Sequence, residues 1–174
     1  TDASLPKGVG MDDTLLYVLK LASAKAPLTA ATGTAVPPKA GLPTVTMGAT
    51  AADPAKIAVP SPTALKETIT QPLITGTGEK VQKGQTVRVT YTGTTWRDPA
   101  TPFDYSGKSP KKYFEFVAGA GNVIKAWDAA VVGQPVGSRL LLIVQPVDGY
   151  GDKGNGDIKG DDVMIFVVDI LAAY

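Results

Sequence analysis

The 174-residue sequence contains neither cysteine nor histidine, and these two absences remove many kinds of active site. Catalytic triads built on imidazole, thiolate nucleophiles, disulfides and zinc fingers all need one of these residues. Net charge is also low, because 17 Lys and Arg residues against 16 Asp and Glu residues leave +1. Binding to nucleic acid or to an anionic membrane through charge is therefore not expected. The chemistry that remains is that of carboxylate, hydroxyl, amine and aromatic groups.

Aromatic residues are nearly absent from the first half of the chain. Of the 12 Phe, Trp and Tyr residues, only Tyr17 precedes residue 91. Because aromatic side chains dominate core packing and pocket walls, the C-terminal half is predicted to hold the compact domain and any site. The sequence also lacks a run of 18 or more apolar residues, so no membrane-spanning helix is predicted.

Residues 25–64 are rich in Ala, Thr and Pro, with seven prolines spaced too closely for a long helix. This composition predicts an extended connector between a segment at 1–24 and a domain at 65–174. Inside the connector, Leu42–Met47 and Lys56–Val59 are predicted to be short strands of a β-hairpin, joined by the turn-rich stretch 48–54.

The domain at 65–174 shows patterns of strands and one helix. Gln85–Tyr91 alternates apolar and polar residues, as a half-buried strand does, and Arg139–Gln145 and Val163–Leu171 are apolar, β-branched runs. Between them, Asn122 is predicted to cap a short helix that continues to Val132. One short helix among many strands predicts an α+β fold in which an antiparallel sheet curls around the helix.

The sequence contains one internal repeat, in which Asp12–Ala24 (DDTLLYVLKLASA) matches Asp161–Ala173 (DDVMIFVVDILAA). Strands can resemble one another by chance. The alternative is that residues 1–24 include the last strand of a preceding, degenerate copy of the same domain, which would make the protein a tandem array. The repeat aligns Tyr17 with Phe166.

Several short motifs follow one another in the aromatic half. They are the strand TVRVTYTG, then FDYS, the segment NVIKAWD, the turn VGSR, GYG and the closing strand VMIFVVDIL. Taken singly, each is typical of an ordinary core or turn. In this order, over some 110 residues from about Leu65 to Tyr174, they resemble the FKBP-type peptidyl-prolyl cis/trans isomerases.

The resemblance implies a prolyl-binding groove on a curled antiparallel sheet. The residues it places along the groove are Tyr91, Phe103, Asp104, Phe114, Val123, Ile124, Trp127, Tyr150 and Phe166, with Ile158 over the rim. Trp127 would form the floor, Tyr150 would donate to a substrate carbonyl, and the Ile124 N–H would reach a second one. Asp104, beside Tyr91, would act electrostatically, or would only hold the junction between strand and loop.

This activity requires no cofactor and no metal. The loop Asp152–Asp157 does offer oxygen ligands for calcium, but it has Gly154 inside it and no Glu at the closing position. A solvated turn-rich loop is the expectation there.

The expected partners are prolyl-containing polypeptides and, if the resemblance is complete, macrolides such as tacrolimus and rapamycin. The alternative is a noncatalytic prolyl-peptide binding or chaperone module. The stretches LPTVTM and KIAVP look similar to those of exported actinobacterial tandem FKBP proteins. An extracytoplasmic or secreted protein that assists protein folding is therefore expected.

Overall fold

The computed structural model describes residues 9–10, 12–20, 26–50 and 53–174. Within these ranges the chain forms nine strands and one α-helix. Their bounds are β1 Gly33–Ala35, β2 Thr44–Thr46, β3 Lys56–Ala58, β4 Ile69–Gly76, β5 Thr86–Thr95, β6 Asp104–Tyr105, β7 Phe114–Val117, α1 Lys125–Val131, β8 Arg139–Val144 and β9 Met164–Ala173. Short 3-10 helices lie at Ser106–Lys108, Pro146–Asp148 and Gly151–Lys153.

Seven of the strands form one antiparallel sheet with the order β1-β4-β8-β9-β5-β6, and β7 lies beside β6 along the same edge of β5. β9 is central. Its Phe166 pairs with Leu142 on β8 and with Gly93 on β5. β9 thus pairs with β5 from Met164 to Ala173 and with β8 from Met164 to Asp169.

The centre of the sheet is buried on both faces: β8 and β9 send alternate side chains to opposite sides, and nearly all of them are buried. On the inner face, Phe166 and Val168 join the core that packs against α1. On the outer face, Ile165 and Val167 join a second core with Trp96. The predicted α+β fold, an antiparallel sheet around one short helix, is confirmed. The two apolar runs predicted to be strands are β8 and β9, and neither strand has a face exposed to solvent.

The outer core is covered by residues 26–50 and 53–64, which we call the outer layer. The two predicted hairpin strands pair antiparallel, with Val45 opposite Ile57, and Ile57 is only 5% exposed. The Trp96 indole N–H donates to the Ser61 carbonyl at 2.9 Å, and the Ala55 N–H donates to the Thr92 hydroxyl at 2.9 Å. An extended connector is expected here from composition, whereas the described residues form a packed layer of the domain.

A buried ion pair fixes the start of the outer layer to β9. Asp169 is 3% exposed and receives two hydrogen bonds from the Arg139 guanidinium, at 2.6 and 2.7 Å. The same carboxylate accepts the Ala31 N–H at 2.9 Å, and the Leu28 N–H donates to the Leu171 carbonyl at 3.0 Å. One carboxylate therefore joins two neighbouring strands and the outer layer.

The helix begins later than the sequence indicates. Ile124, not Asn122, is the N-cap of α1, and no side chain caps the helix. The carboxylate of Asp128 instead accepts the backbone N–H groups of Gly119 and Gly121, at 2.9 and 2.7 Å, and so holds the loop before the helix. No helix within the described ranges is long and apolar enough to cross a membrane.

Residues 12–20 are described without a strand, and Leu16, Val18 and Leu19 are each 90% exposed. An extended segment forms a strand only when its N–H and C=O groups find a neighbour, and no strand of the described ranges pairs with this one. Residues 1–8, 11 and 21–25 lie outside the described residues, as does that part of the predicted repeat. The interpretation of 1–24 as the end of a preceding copy stays a prediction.

We expect Asp169→Asn to lower the free energy of unfolding by about 3 kcal/mol, because removal of one partner from a buried pair leaves the other charge uncompensated. Urea unfolding measures this change, and limited proteolysis should release the outer layer earlier. Asp152→Asn, at an exposed carboxylate, is the control and should change stability by less than about 0.5 kcal/mol. An unchanged urea midpoint for Asp169→Asn would contradict the anchoring role.

Candidate functional site

A cleft of about 620 Å³ opens between the inner face of the sheet, the start of α1 and the loop that follows β8. Nine of the ten site residues predicted from sequence line it. The cleft residues are Tyr91, Phe103, Asp104, Phe114, Gly121, Asn122, Val123, Ile124, Lys125, Trp127, Gly149, Tyr150 and Phe166. A volume of this size is typical of a site for a small molecule or for a few residues of a peptide.

Trp127 is the centre of the aromatic wall. It lies on the buried side of α1, is 5% exposed, and meets Tyr91 and Phe166 edge to face with ring centroids 5.2 and 5.4 Å apart. Phe114 contacts it in the same way at 6.2 Å. Edge-to-face pairs contribute roughly 0.5–1.5 kcal/mol each beyond burial, so the ring positions are fixed before any ligand binds.

The close contact between Phe103 and Phe166 depends on Gly93 in β5. The two rings lie 5.6 Å apart, nearly perpendicular. A Cβ atom on residue 93 would come within 2.8 Å of both rings, closer than carbon atoms approach without strain. Glycine at this position therefore allows the wall to close.

Asp104 and Tyr91 form a hydrogen-bonded pair at the edge of the cleft. The Tyr91 hydroxyl donates to one carboxylate oxygen of Asp104, and the Tyr105 N–H donates to the other at 2.9 Å. β6 places Asp104 opposite Gly93, and the Tyr91 N–H donates to the buried Ser106 hydroxyl at 2.8 Å. Burial, and then the hydrogen bond to Asp104, raise the pKa of Tyr91 above its usual value.

The polar groups of the cleft residues that have no hydrogen-bond partner in the described part of the chain include the buried indole N–H of Trp127 and two further donors. One is the backbone N–H of Ile124, which precedes the first turn of α1. The other is the hydroxyl of Tyr150, whose side chain is 40% exposed between two short 3-10 helices. Both donors are available to carbonyl groups of a ligand.

Ile158 is the predicted site residue that does not line the cleft. It is 7% exposed and belongs to the inner core. Its backbone exchanges two hydrogen bonds with Asn155, at 2.8 and 3.0 Å, which closes the loop tightly. The loop thus turns Ile158 into the core and not over the rim.

Sequence reasoning did not assign Gly121, Asn122, Lys125 and Gly149 to the site. The sequence predicts Asn122 to be a helix cap, whereas it lies in the loop before the cap residue Ile124. Lys125 begins α1 and is exposed at the cleft. Their position in the sequence could have indicated them, because all four lie within two residues of a residue that the motifs assign to the site.

The raised pKa of Tyr91 predicts a phenol that stays protonated while the protein is folded. At a pH of about 11, one unit above the ordinary tyrosine pKa, the native absorbance change at 295 nm should be the same for wild type and Tyr91→Phe. In denaturant at the same pH, the variant should show one ionised phenol fewer. A smaller native signal for Tyr91→Phe would mean that Tyr91 ionises normally.

Comparison with known proteins matches this fold and cleft to one family. A family model described as FKBP-type peptidyl-prolyl cis-trans isomerase matches residues 77–171. The FK506-binding protein 2 of Emericella nidulans is 40% identical over 94 residues, which cover 53% of this chain and 67% of that protein. The peptidyl-prolyl cis-trans isomerase Fkbp12 of Drosophila melanogaster is 40% identical over 102 residues, which cover 58% of this chain and 92% of that protein.

A solved structure agrees with these relatives. The crystal structure of AtFKBP13 superposes with a TM-score of 0.56 at 25% identity and covers 62% of this chain and 93% of that one. An FK506-binding protein of Streptomyces anulatus is 39% identical over 99 residues, which cover 56% of this chain and 78% of that protein. Because the family model spans more than half of the chain, the chain belongs to the FKBP-type peptidyl-prolyl cis-trans isomerase family.

Proposed function

We propose that the cleft accelerates the rotation of X-Pro bonds by binding the twisted amide noncovalently against its aromatic wall. The observation that carries this mechanism is the preformed set of rings around Trp127, which needs no imidazole, thiol or cofactor. The activity itself follows from family membership; the roles of individual residues are the proposal.

The physical basis is differential binding of the transition state. An X-Pro amide rotates over a barrier of about 20 kcal/mol because resonance must be broken, and this takes roughly 10–100 s in water. At the twisted geometry the resonance is lost and the carbonyl dipole is smaller. An apolar cleft therefore stabilises the twisted amide relative to the planar, well-solvated one.

Four residues would hold the prolyl ring: Phe114, Val123, Trp127 and Phe166. Trp127 and Phe166 are buried within the inner core, Val123 packs against that core, and Phe114 is 39% exposed at the opening. A ring seated on Trp127 meets side chains that are already packed. Little entropy is then lost by the protein when substrate binds.

The two free donors would fix the chain on either side of the prolyl ring. The Tyr150 hydroxyl would bind one substrate carbonyl, and the Ile124 N–H would bind a second. Because these groups would hold the prolyl ring and its chain, the amide would twist by movement of the residue that precedes proline.

Asp104 would act through its charge and through Tyr91. Both of its oxygens accept hydrogen bonds from the protein, which argues against covalent attack. A fixed carboxylate beside an apolar cleft interacts strongly with the amide as its dipole changes. The structural role alone, holding Tyr91 and the start of β6, remains the competing interpretation.

Binding of macrolides is part of the proposal, since relatives carry the name FK506-binding protein and the cleft residues of this chain are aromatic. A role in the folding of exported proteins, and an extracytoplasmic location, extend it. That extension is supported by the resemblance of the LPTVTM and KIAVP stretches to exported proteins.

The proposed function predicts that the intact chain accelerates cis/trans isomerisation of a short X-Pro peptide in proportion to its concentration. Tacrolimus should abolish the acceleration by occupying the cleft. The measurement is a stopped-flow isomerisation assay at 25 °C, with tacrolimus binding followed by Trp fluorescence. Peptide binding without acceleration would favour the noncatalytic binding module, and neither binding nor acceleration would reject the proposal.

Substitutions separate the residue roles. Tyr150→Phe should lower kcat/KM about tenfold, because one hydrogen bond is worth roughly 1–1.5 kcal/mol. Asp104→Asn retains an acceptor for Tyr91 but removes the charge, and we expect it to lose about tenfold as well. Tyr113→Phe, whose ring stacks on Arg88 at 3.9 Å outside the cleft, is the control. A wild-type rate for Asp104→Asn would restrict Asp104 to positioning Tyr91.

A further inference from the structure

Residues 15–19 present five consecutive large apolar side chains to solvent. Leu15 is 44% exposed, Tyr17 is 69% exposed, and the other three are 90% exposed. An exposed apolar stretch of this length marks a surface that another molecule or segment covers. Residues 12–20 also form no strand within the described chain.

The sequence repeat extends to the local structure. At Asp13, the carboxylate accepts the Gly10 N–H at 2.7 Å, and the Asp13 N–H donates to the Gly10 carbonyl at 3.3 Å. At Asp162, the carboxylate accepts the Lys159 N–H at 2.8 Å, and the Asp162 N–H donates to the Lys159 carbonyl at 3.1 Å. The same turn, with the same offset of three residues, precedes the matching apolar segments. The same kind of turn also lies at Asp53, whose carboxylate accepts the Thr50 N–H at 2.9 Å, so the turn agrees with the repeat but is not specific to it.

The environment of β9 defines what the matching segment requires. In β9, residues 164–171 are all buried, and both edges pair, with β8 on one side and β5 on the other. The repeat places Leu16 at the position of Ile165, on the outer face, and Tyr17 at that of Phe166, on the inner face. A strand with this pattern needs two neighbouring strands and a core on each face.

A second copy of this chain cannot provide that environment. Its central position is already filled by β9, and displacing β9 would break the buried Arg139–Asp169 pair and expose a strand buried on both faces. An edge strand would offer only one neighbour. The partner must also lie near this domain, because the five residues between Lys20 and Ala26 span at most about 20 Å.

We propose that residues 14–20 are the closing strand of a second FKBP-type sheet, in a domain that lacks a last strand of its own. The segment inserts between the strands of that domain that correspond to β5 and β8. Its apolar side chains complete two cores there, and Tyr17 enters the inner face where Phe166 lies in this domain. The interaction is independent of the isomerase cleft, to which residues 12–20 contribute nothing.

The test uses site-specific photo-crosslinking in the organism that makes the protein. A benzophenone amino acid replaces Tyr17, and the crosslinked peptides are identified by mass spectrometry. In this domain, Phe166 lies opposite Gly93 and Leu142, so the crosslinks should map to the corresponding positions of another FKBP-type domain. Val18→Lys, which places an ammonium group where Val167 is buried, should remove at least nine tenths of the crosslinked product.

The control carries the benzophenone at Val147, which is 71% exposed in the 3-10 helix Pro146–Asp148, and it should give no such product. Crosslinks to a second copy of this chain, to a protein of another fold, or to nothing at all would each overturn the proposal. Isomerase activity of the Tyr17-labelled protein should equal that of wild type. A failure of the crosslink with activity intact thus rejects the strand proposal alone.

Discussion

The burial of β9 on both faces and along both edges constrains every other part of the domain. Side chains of this strand alternate between a core that includes α1 and a core that the outer layer covers. A substitution that changes the packing of one core also affects the other, because the side chains of both are attached to the same strand. Asp169 on β9 joins these parts directly, because its buried carboxylate binds Arg139 of β8 and the Ala31 N–H of the outer layer.

The cleft is built on this rigid base and needs little adjustment to bind. Phe166 comes from β9, Tyr91 from β5 and Trp127 from α1, and their rings meet edge to face. The hydrogen bond from Tyr91 to Asp104 fixes the polar end of the same wall. A site whose walls are already packed stabilises a short-lived geometry without reorganisation at the moment of reaction. This suits a reaction in which no bond is made or broken.

The strands that sequence predicted well are those with long apolar, β-branched runs: β8 and β9 begin and end within two residues of their predicted bounds. β4 was missed because Pro72 lies inside it, and proline removes a backbone donor; the strand accommodates it where the register shifts between Pro72 and Ile74. The outer layer was underestimated because its burial rests on a few small or medium residues, such as Ala55 and Ile57, among many prolines. Family motifs located nine cleft residues, but Ile158 depended on a loop conformation that no motif specifies.

Phe166 and Val167 are adjacent on β9 and face opposite sides of the sheet, one toward the cleft and the other toward the outer layer. A change of volume under Val167 therefore moves the backbone that carries a wall of the cleft. Substitutions in the outer layer, at residues such as Ile57 that do not line the cleft, can therefore change how a substrate fits.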